Sequence, residues 1–267
     1  MIQSLTKISV MKKLLKKVKK AALYLIPEFV KCKIFEDKCP EYPNRCVSMK
    51  WSIENLKRLG LRADYILDIG AYCGLWTDMI KAIYPEAQIL MVEPQLNKEN
   101  DLLKVAMKYS GSVKYSMSFL GSQSGKEVDF FEMESGSSAF QERSAIPRKK
   151  VQKNTITLCE LLRNFNWDKV DFIKIDAQGY ELEILKGATD ILRSVKCILM
   201  EVSLIDINEG APLFLEVISF MNDRGFVPYD ICSLLRRPLD QALWQVDMIF
   251  LPNRSSLLKH KYFDSYE

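Results

Sequence analysis

The sequence LDIGAYCGLWT, residues 67–77, joins an apolar strand to an amphipathic helix through a turn that contains two glycines. Gly70 and Gly74 have no Cβ atom, so the backbone of this turn can approach a ligand closely. After the turn, one face of the predicted helix carries apolar side chains, at Leu75, Met79, Ile80 and Ile83. A strand, a glycine turn and a helix in this order are typical of one unit of an α/β sheet.

Strands and helices continue to alternate around this unit. Apolar strand patterns occur at 65–69, 88–92, 170–175 and 197–202, and further strands are predicted near 112–119, near 225–230 and at 246–251. This alternation predicts a doubly wound, mostly parallel α/β sheet. In such sheets, ligands bind at the carboxyl ends of the strands, so polar residues at those ends are the candidates for function.

The first two strand ends predict a cofactor that contains a ribose. Asp68 lies near the end of the first strand, and Glu93, in the sequence VEP, follows the second. A carboxylate in this place can accept hydrogen bonds from ribose hydroxyls, and together with the glycine turn it suits S-adenosylmethionine. The G-x-x-x-G spacing differs from the G-x-G-x-x-G of dinucleotide sites, which disfavours a nicotinamide-dependent oxidoreductase. The structural alternative is an ordinary β–α turn with a helix-capping acid.

The strand end in DFIKIDAQGYELEILKGA, residues 171–188, carries candidates for catalysis. Lys174 and Asp176 approach the same edge of the sheet, and Glu181 opens the following helix. Glu201 ends the next strand, in the sequence LMEVS. Acids also stabilise helix N-termini, which is the alternative explanation for Asp176 and Glu181.

Together these stretches resemble the FkbM family of S-adenosylmethionine-dependent methyltransferases. The resemblance covers roughly residues 50–252 and is most specific in the block K-I-D-x-Q-G-Y-E-x-x-x-L-x-G-A. It implies a Rossmann-like class I methyltransferase fold of seven strands, with one antiparallel strand in the pair at 225–251. It also implies O-methylation, typically of sugar or polyketide hydroxyls.

The resemblance assigns a cofactor site by position. Asp68, Gly70 and Gly74 would line S-adenosylmethionine, and Glu93 would hold its ribose. The full predicted cofactor set is Asp68, Gly70, Ala71, Tyr72, Gly74, Trp76, Glu93, Pro94 and Ser118. The family's first motif usually reads D-I-G-A-N, whereas Tyr72 replaces the asparagine here. We therefore expect an altered pocket beside the cofactor.

Methylation of an aliphatic hydroxyl requires a group that removes the hydroxyl proton. Histidine is the commonest general base, but the single histidine, His260, lies beyond the last predicted strand. We therefore predict Asp176 as the base, with Lys174, Glu181 or Glu201 assisting. A divalent ion such as Mg²⁺, held by Asp176 and Glu201, is the weaker alternative, because two carboxylates are few ligands for a hard cation.

Charge and composition define the domain organisation. Residues 1–60 contain 14 Lys/Arg and 5 Asp/Glu, a net charge of +9, whereas the remainder contains 24 and 29, a net charge of −5. Residues 1–50 are predicted to form an extension with a basic amphipathic helix at 11–25, followed by the main domain at 51–252 and a tail at 253–267. The helix would lie on an anionic membrane surface or pack as a solvated helix on its own domain.

Residues 121–155 interrupt the alternation and are predicted to form an insertion. Gly/Ser-rich turns, Phe140 and Arg143 suit a substrate lid over the rim of the sheet, and the alternative is a hairpin that only protects a sheet edge. The expected acceptor is a small molecule or a glycan, lipid-linked if the basic helix contacts a membrane. The acidic main domain and the lack of an N/D-P-P-Y/F motif argue against nucleic acid.

The cysteines predict a reducing compartment. Four of the seven lie in or beside apolar segments: Cys73, Cys159, Cys197 and Cys232. This placement is typical of free thiols in a cytoplasmic protein. If the basic helix binds a membrane, the protein would lie at the inner face of that membrane. The other three, Cys32, Cys39 and Cys46, are seven residues apart, which matches no close-paired zinc pattern. The rival interpretation of the whole chain is a methyltransferase-fold protein that has become an inactive binding or membrane scaffold.

Overall fold

The computed structural model of the protein describes residues 47–259 and 261. The predicted basic helix at 11–25, His260, and the cysteines Cys32, Cys39 and Cys46 lie outside these residues. In the part of the chain that is described, no helix is long and apolar enough to cross a bilayer.

Six α-helices and ten strands make up the described fold. The helices are α1 (Met49–Arg58), α2 (Leu75–Ile83), α3 (Glu99–Lys108), α4 (Leu158–Asn164), α5 (Glu181–Lys186) and α6 (Phe214–Asp223). The strands are β1 (Tyr65–Ile69), β2 (Gln88–Val92), β3 (Val113–Ser116), β4 (Phe119–Leu120), β5 (Glu127–Glu132), β6 (Lys149–Ile156), β7 (Phe172–Ile175), β8 (Cys197–Ser203), β9 (Phe226–Arg236) and β10 (Leu243–Pro252). Short 3₁₀ turns occur at Leu96–Lys98, Ile191–Arg193 and Ser256–Leu258.

The main sheet has seven strands in the order β3-β2-β1-β7-β8-β10-β9. Every pair up to β8 is parallel, and β10 runs antiparallel to both of its neighbours. This arrangement confirms the predicted doubly wound sheet of the methyltransferase class with one antiparallel strand. Strand order reverses between β1 and β7, so the carboxyl ends of these two strands form the edge at which ligands bind in such folds.

The centre of the sheet is held by aliphatic side chains in register. Leu67 on β1 lies beside Leu90 on β2 and Ile173 on β7, and Ile173 lies beside Ile198 on β8. All four side chains are fully buried. Burying an aliphatic side chain of this size contributes about 1.5–3 kcal/mol, so this row fixes the strands whose ends carry the polar residues.

The insertion forms a second, three-stranded sheet in the order β4-β6-β5. The predicted hairpin around EVDFFE is present, since β5 pairs with β6 antiparallel from Glu127↔Asn154 to Glu132↔Lys149. The strand predicted near 112–119 is present as β3 but is shorter than predicted. β3 ends at Ser116, and β4 belongs to the second sheet because its parallel partner is β6.

Candidate functional site

The turn after β1 is folded against the neighbouring strands in a way that requires glycine. Gly70 has a φ of +71°, and a Cβ atom at this position would lie 1.8 Å from the carbonyl oxygen of Asp176. The amides of Gly70 and Ala71 both donate to the carbonyl oxygen of Val92, at 2.9 and 3.1 Å. Gly74 has a φ of +77°, and its Cβ would lie 2.9 Å from Val105. The turn is therefore pressed onto β2 and β7 where all three strands end.

Glu93 connects the end of β2 to this turn. Its side chain is 3% exposed and accepts hydrogen bonds from the backbone amides of Tyr72, at 2.8 Å, and Gln95, at 2.9 Å. Burial raises the pKa of Glu93, although these amides oppose the shift. Each oxygen accepts one backbone hydrogen bond, and a carboxylate has about four acceptor sites, so Glu93 retains capacity for a ligand hydroxyl.

Tyr72 shows how this chain accommodates its departure from D-I-G-A-N. Its φ of +50° is a left-handed conformation, which asparagine adopts more readily than tyrosine. Lys98 Nζ lies 4.1 Å from the centre of the Tyr72 ring, and the Tyr72 hydroxyl donates to Glu134 at 3.2 Å. Lys98 also pairs with Glu134, at 3.0 Å. These contacts link the turn after β1 to the insertion at 121–155.

Asp68 lies beneath the turn. It is fully buried, and it accepts a hydrogen bond from the Thr77 hydroxyl at 2.8 Å. Lys174, its partner in register on β7, approaches the other carboxylate oxygen to 3.4 Å. Asp68 has no exposed surface, and its carboxylate contacts α2 through Thr77 and β7 through Lys174.

Lys174 occupies the centre of a group of acids. Its Nζ donates to the carbonyl oxygen of Gly70 at 2.9 Å and lies 3.5 Å from Asp176 Oδ2. Burial lowers the pKa of Lys174, but Asp176, Asp68 and Asp247 outweigh burial, and the net shift is upward. A lysine held charged in this way stabilises carboxylates and is unsuited to remove a proton.

Asp176 and Glu201 meet at the carboxyl edge through Gln178. The Gln178 side-chain amide donates to Asp176 Oδ1 at 2.8 Å and to Glu201 Oε1 at 2.9 Å. The Asp176 side chain is 38% exposed. Burial, followed by the neighbouring charges of Asp176, Asp247 and Glu181, raises the pKa of Glu201 well above its usual range. Both acids were predicted at this edge from the sequence, whereas the Gln178 amide that joins them was not.

Glu181 turns back into the loop that precedes α5. One of its oxygens accepts from the amides of Ala177, at 2.9 Å, and Gly179, at 3.0 Å. The side chain is 4% exposed, and burial raises its pKa to about 7. Glu181 therefore shapes the loop that carries Asp176 and Gln178.

Comparison with known proteins gives a family. The model of the methyltransferase FkbM domain matches residues 68–228. The chain belongs to this family. None of the curated proteins compared matches the chain.

Three solved structures are among those that are similar to this FkbM domain. A methyltransferase FkbM from Methylobacillus flagellatus KT is 16% identical with a TM-score of 0.49, over 82% of this chain and 52% of that chain. The fibrillarin pre-rRNA processing protein of Methanococcus jannaschii is 15% identical, with a TM-score of 0.47 over 72% and 67%. The Burkholderia thailandensis 1,6-didemethyltoxoflavin-N1-methyltransferase, solved with S-adenosylhomocysteine, is 14% identical, with a TM-score of 0.43 over 88% and 89%. The chain spans about half the length of the M. flagellatus protein.

One predicted cofactor residue lies elsewhere in the FkbM domain. Trp76 is 4% exposed, and its ring lies 5.9 Å from that of Phe172, at the start of β7. Trp76 is therefore a core residue of α2, away from the carboxyl edge. Its spacing of four and seven residues from the buried Ile80 and Ile83 is a helical core pattern that the sequence already contained.

The remaining predicted cofactor residues lie close to the ends of β2 and β3. The Pro94 carbonyl oxygen accepts from Lys153 Nζ at 2.8 Å. The Ser118 hydroxyl is 2.7 Å from that of Ser116, the last residue of β3. The Ser116 carbonyl oxygen accepts from the amide of Glu93 at 3.1 Å, which places this pair beside the Glu93 backbone.

The insertion contacts the carboxyl edge directly. The Ser138 hydroxyl, which is fully buried, donates to the carbonyl oxygen of Gln178 at 2.7 Å. With Glu134 at Tyr72, the loop between β5 and β6 contacts both the turn after β1 and the loop after β7. Among residues 47–259 and 261, no group of three or more His, Cys, Asp or Glu is arranged to hold a metal ion.

Proposed function

We propose that this FkbM domain is an S-adenosylmethionine-dependent O-methyltransferase whose acceptor is a hydroxyl of a sugar, a glycan or a related natural product. The observation that carries the proposal is the exposure of Asp176. Its carboxylate is open at the rim, whereas those of Asp68, Glu93 and Glu181 are buried. One accessible acid beside a family-typical cofactor turn is the arrangement that base-assisted transfer to a hydroxyl needs.

The chain's residues fit S-adenosylmethionine on the cofactor side. Glu93 offers a carboxylate with remaining acceptor capacity, beside a turn in which Gly70 and Gly74 permit close packing of the backbone onto its neighbours. When bound, the cofactor supplies an electrophilic methyl group. Ser118 and Pro94 flank Glu93 and would border the same site.

Asp176 would accept the proton of the acceptor hydroxyl at Oδ2 as the new O–C bond forms. Gln178 holds the other oxygen, Oδ1, and so orients the carboxylate. Lys174 lies 3.5 Å from Oδ2 and offsets the charge of the acids around it. Glu201, whose pKa is raised, accepts a hydrogen bond from the same Gln178 amide and so helps to position it. Glu181 fixes the loop by accepting from the backbone amides of Ala177 and Gly179.

The insertion at 121–155 would select the acceptor. The Ser138 hydroxyl of the insertion donates to the Gln178 carbonyl oxygen, next to Asp176. This contact supports a role of the insertion as a lid that would exclude water from the reaction. A lipid-linked glycan is the acceptor that suits a membrane-associated enzyme, and residues 11–25 carry the positive charge for contact with an anionic membrane.

The test is calorimetric titration of S-adenosylhomocysteine into the 267-residue protein and into Glu93→Ala. Glu86→Ala is the matched control, because Glu86 is an exposed acid in the turn between α2 and β2. We expect micromolar binding by the parent and Glu86→Ala, and binding at least tenfold weaker in Glu93→Ala. The absence of binding by the folded parent would instead favour an inactive scaffold. A panel of hydroxylated sugars and lipid-linked glycans with methyl-labelled cofactor then tests transfer.

A further inference from the structure

A second concave site lies at the amino-terminal edge of the main sheet, opposite Asp176. It is an open cleft of about 540 Å³, within the size range of small-molecule sites. Three segments form it: residues 60–62 before β1, residues 193–196 before β8, and residues 252–257 after β10.

Basic side chains dominate the lining of this cleft. Its lining contains four basic residues, Arg62, Arg193, Lys196 and Arg254, and three serines, Ser194, Ser255 and Ser256. No acidic residue is part of this lining. This composition contrasts with that of residues 61–267, whose net charge is −5, from 24 Lys/Arg and 29 Asp/Glu. Four cations gathered on an acidic domain repel one another at a cost in stability, unless an anion offsets their charge.

Among the described residues, three of the four cations have no acidic partner. Lys196 pairs with Asp171 at 2.8 Å and donates to the Arg62 carbonyl oxygen at 3.1 Å. Arg254 donates to the carbonyl oxygen of Arg193. In the described part of the chain, no carboxylate pairs with the guanidinium groups of Arg62, Arg193 or Arg254.

We propose that this cleft binds a phosphate-bearing ligand. A guanidinium group presents donors in a planar fork that matches two oxygens of a phosphate. Arg62 and Arg193 are exposed and supply such forks from two different segments, and Arg254 and Lys196 add positive charge to the same lining. The phosphate belongs either to a soluble phosphorylated compound or to a lipid headgroup, and the same donors serve both.

The experiment uses the 267-residue protein and two probes, inorganic pyrophosphate in calorimetry and vesicles in co-sedimentation. The vesicles are phosphatidylcholine alone, or phosphatidylcholine mixed with phosphatidylglycerol. The variant is Arg62→Gln/Arg193→Gln, and the matched control is Arg163→Gln, an exposed arginine on α4 outside the cleft. The Lys-rich residues 11–25 are present in every protein, so differences between variants report the cleft alone.

A soluble ligand is supported if the parent and Arg163→Gln bind pyrophosphate and the double variant binds it at least tenfold more weakly. Binding restricted to phosphatidylglycerol vesicles, and reduced in the double variant only, supports a lipid headgroup. Equal binding by parent and double variant, or binding of neither probe by the parent, overturns the proposal. S-adenosylhomocysteine affinity should be unchanged in the double variant, so this test is independent of the proposed catalytic function.

Discussion

Lys174 Nζ donates to the carbonyl oxygen of Gly70 at 2.9 Å, so the strand that carries the proposed base is tied to the turn that borders the proposed cofactor site. The same ammonium group lies 3.4 Å from the buried Asp68 carboxylate. One buried cation on β7 thus contacts both a carboxylate of β1 and the backbone carbonyl oxygen of the turn after β1. Lys174 adds these contacts to the backbone pairing of β1 with β7, in which the Asp176 amide donates to the Ile69 carbonyl oxygen at 3.1 Å.

Replacement of Lys174 should therefore destabilise the whole domain. Lys174→Gln leaves the carboxylate of Asp68 buried without a cation, and breaking a buried pair in this way typically costs about 3–5 kcal/mol. Lys104→Gln, which removes an exposed pair with Asp101, should change the free energy of unfolding by less than about 0.5 kcal/mol. Urea unfolding measures both. Equal stability of the two variants would contradict the central role of Lys174.

Gly70 and Gly111 provide a matched test of the close approach to Asp176. Both have positive φ, +71° and +82°, but a Cβ would meet the Asp176 carbonyl oxygen only at Gly70 and nothing within 4 Å at Gly111. Gly111→Ala should cost about 1–2 kcal/mol from backbone strain alone. Gly70→Ala should cost clearly more in urea unfolding and should abolish S-adenosylhomocysteine binding. Similar losses for both variants would show that the contact with Asp176 is unimportant.

Periodicity in the sequence predicted the sheet because each strand signal is local and each is followed by a helix signal. The acids at the strand ends were predictable for the same reason, since the carboxyl ends of parallel strands share one edge. The bridge from Gln178 to Glu201 was not predictable. It depends on β7 lying next to β8 and on a left-handed φ of +53° at Gln178, and neither leaves a local sequence signal.

The structure departs from two predictions for physical reasons that the sequence partly contains. Trp76, which the resemblance assigns to the cofactor set by position, lies with Ile80 and Ile83 on the buried face of α2, as its helical spacing indicates. The strand predicted near 112–119 was too long, because apolar Phe119 and Leu120 continue the pattern of β3. These two residues in fact pair with Thr155 and Ile156 on β6, a contact between residues distant in sequence.

Asp176→Asn should separate catalysis from cofactor binding. The amide cannot accept the hydroxyl proton, so turnover should fall by about 10²–10⁴-fold while S-adenosylhomocysteine affinity changes little. Measurement requires an acceptor from the sugar and glycan panel and methyl-labelled cofactor. Asp168→Asn is the control and should keep the parent's turnover, because that acid is exposed and precedes β7 at the opposite edge of the sheet. Turnover of Asp176→Asn within a few-fold of the parent would remove Asp176 from the mechanism.

Ser138→Ala tests whether the insertion is anchored on the loop after β7. The substitution removes a donor to the Gln178 carbonyl oxygen and an acceptor for the Phe140 amide. Loss of a hydrogen bond of about 1 kcal/mol should increase local opening, and hence amide hydrogen exchange at 133–148, by about fivefold. Ser144→Ala, an exposed position in the same loop whose hydroxyl accepts from the Ile146 amide, should change exchange at Ile146 alone. Equal exchange in both variants would mean that Ser138 does not hold the insertion.

The pH dependence of stability should report Glu181. Burial raises its pKa from 4.5 to about 7 in the folded protein, so the folded state binds more protons than the unfolded state between these values. The contribution of Glu181 to the free energy of unfolding is fully present below pH 4.5. It is lost as pH rises through about 7, which lowers the free energy of unfolding by up to about 3 kcal/mol. Glu181→Gln keeps an acceptor oxygen for Ala177 and Gly179 but does not titrate. Its free energy of unfolding, measured in urea from pH 5 to 8, should therefore rise relative to that of the parent as pH increases.

Glu183→Gln, two residues along α5, is the control and should show no such rise. Burial raises the pKa of Glu183, but Lys186 and Ser122 outweigh burial, and the net shift is downward. A constant difference between Glu181→Gln and the parent across this range would show that Glu181 ionises normally, and that its carboxylate is better solvated than its burial implies.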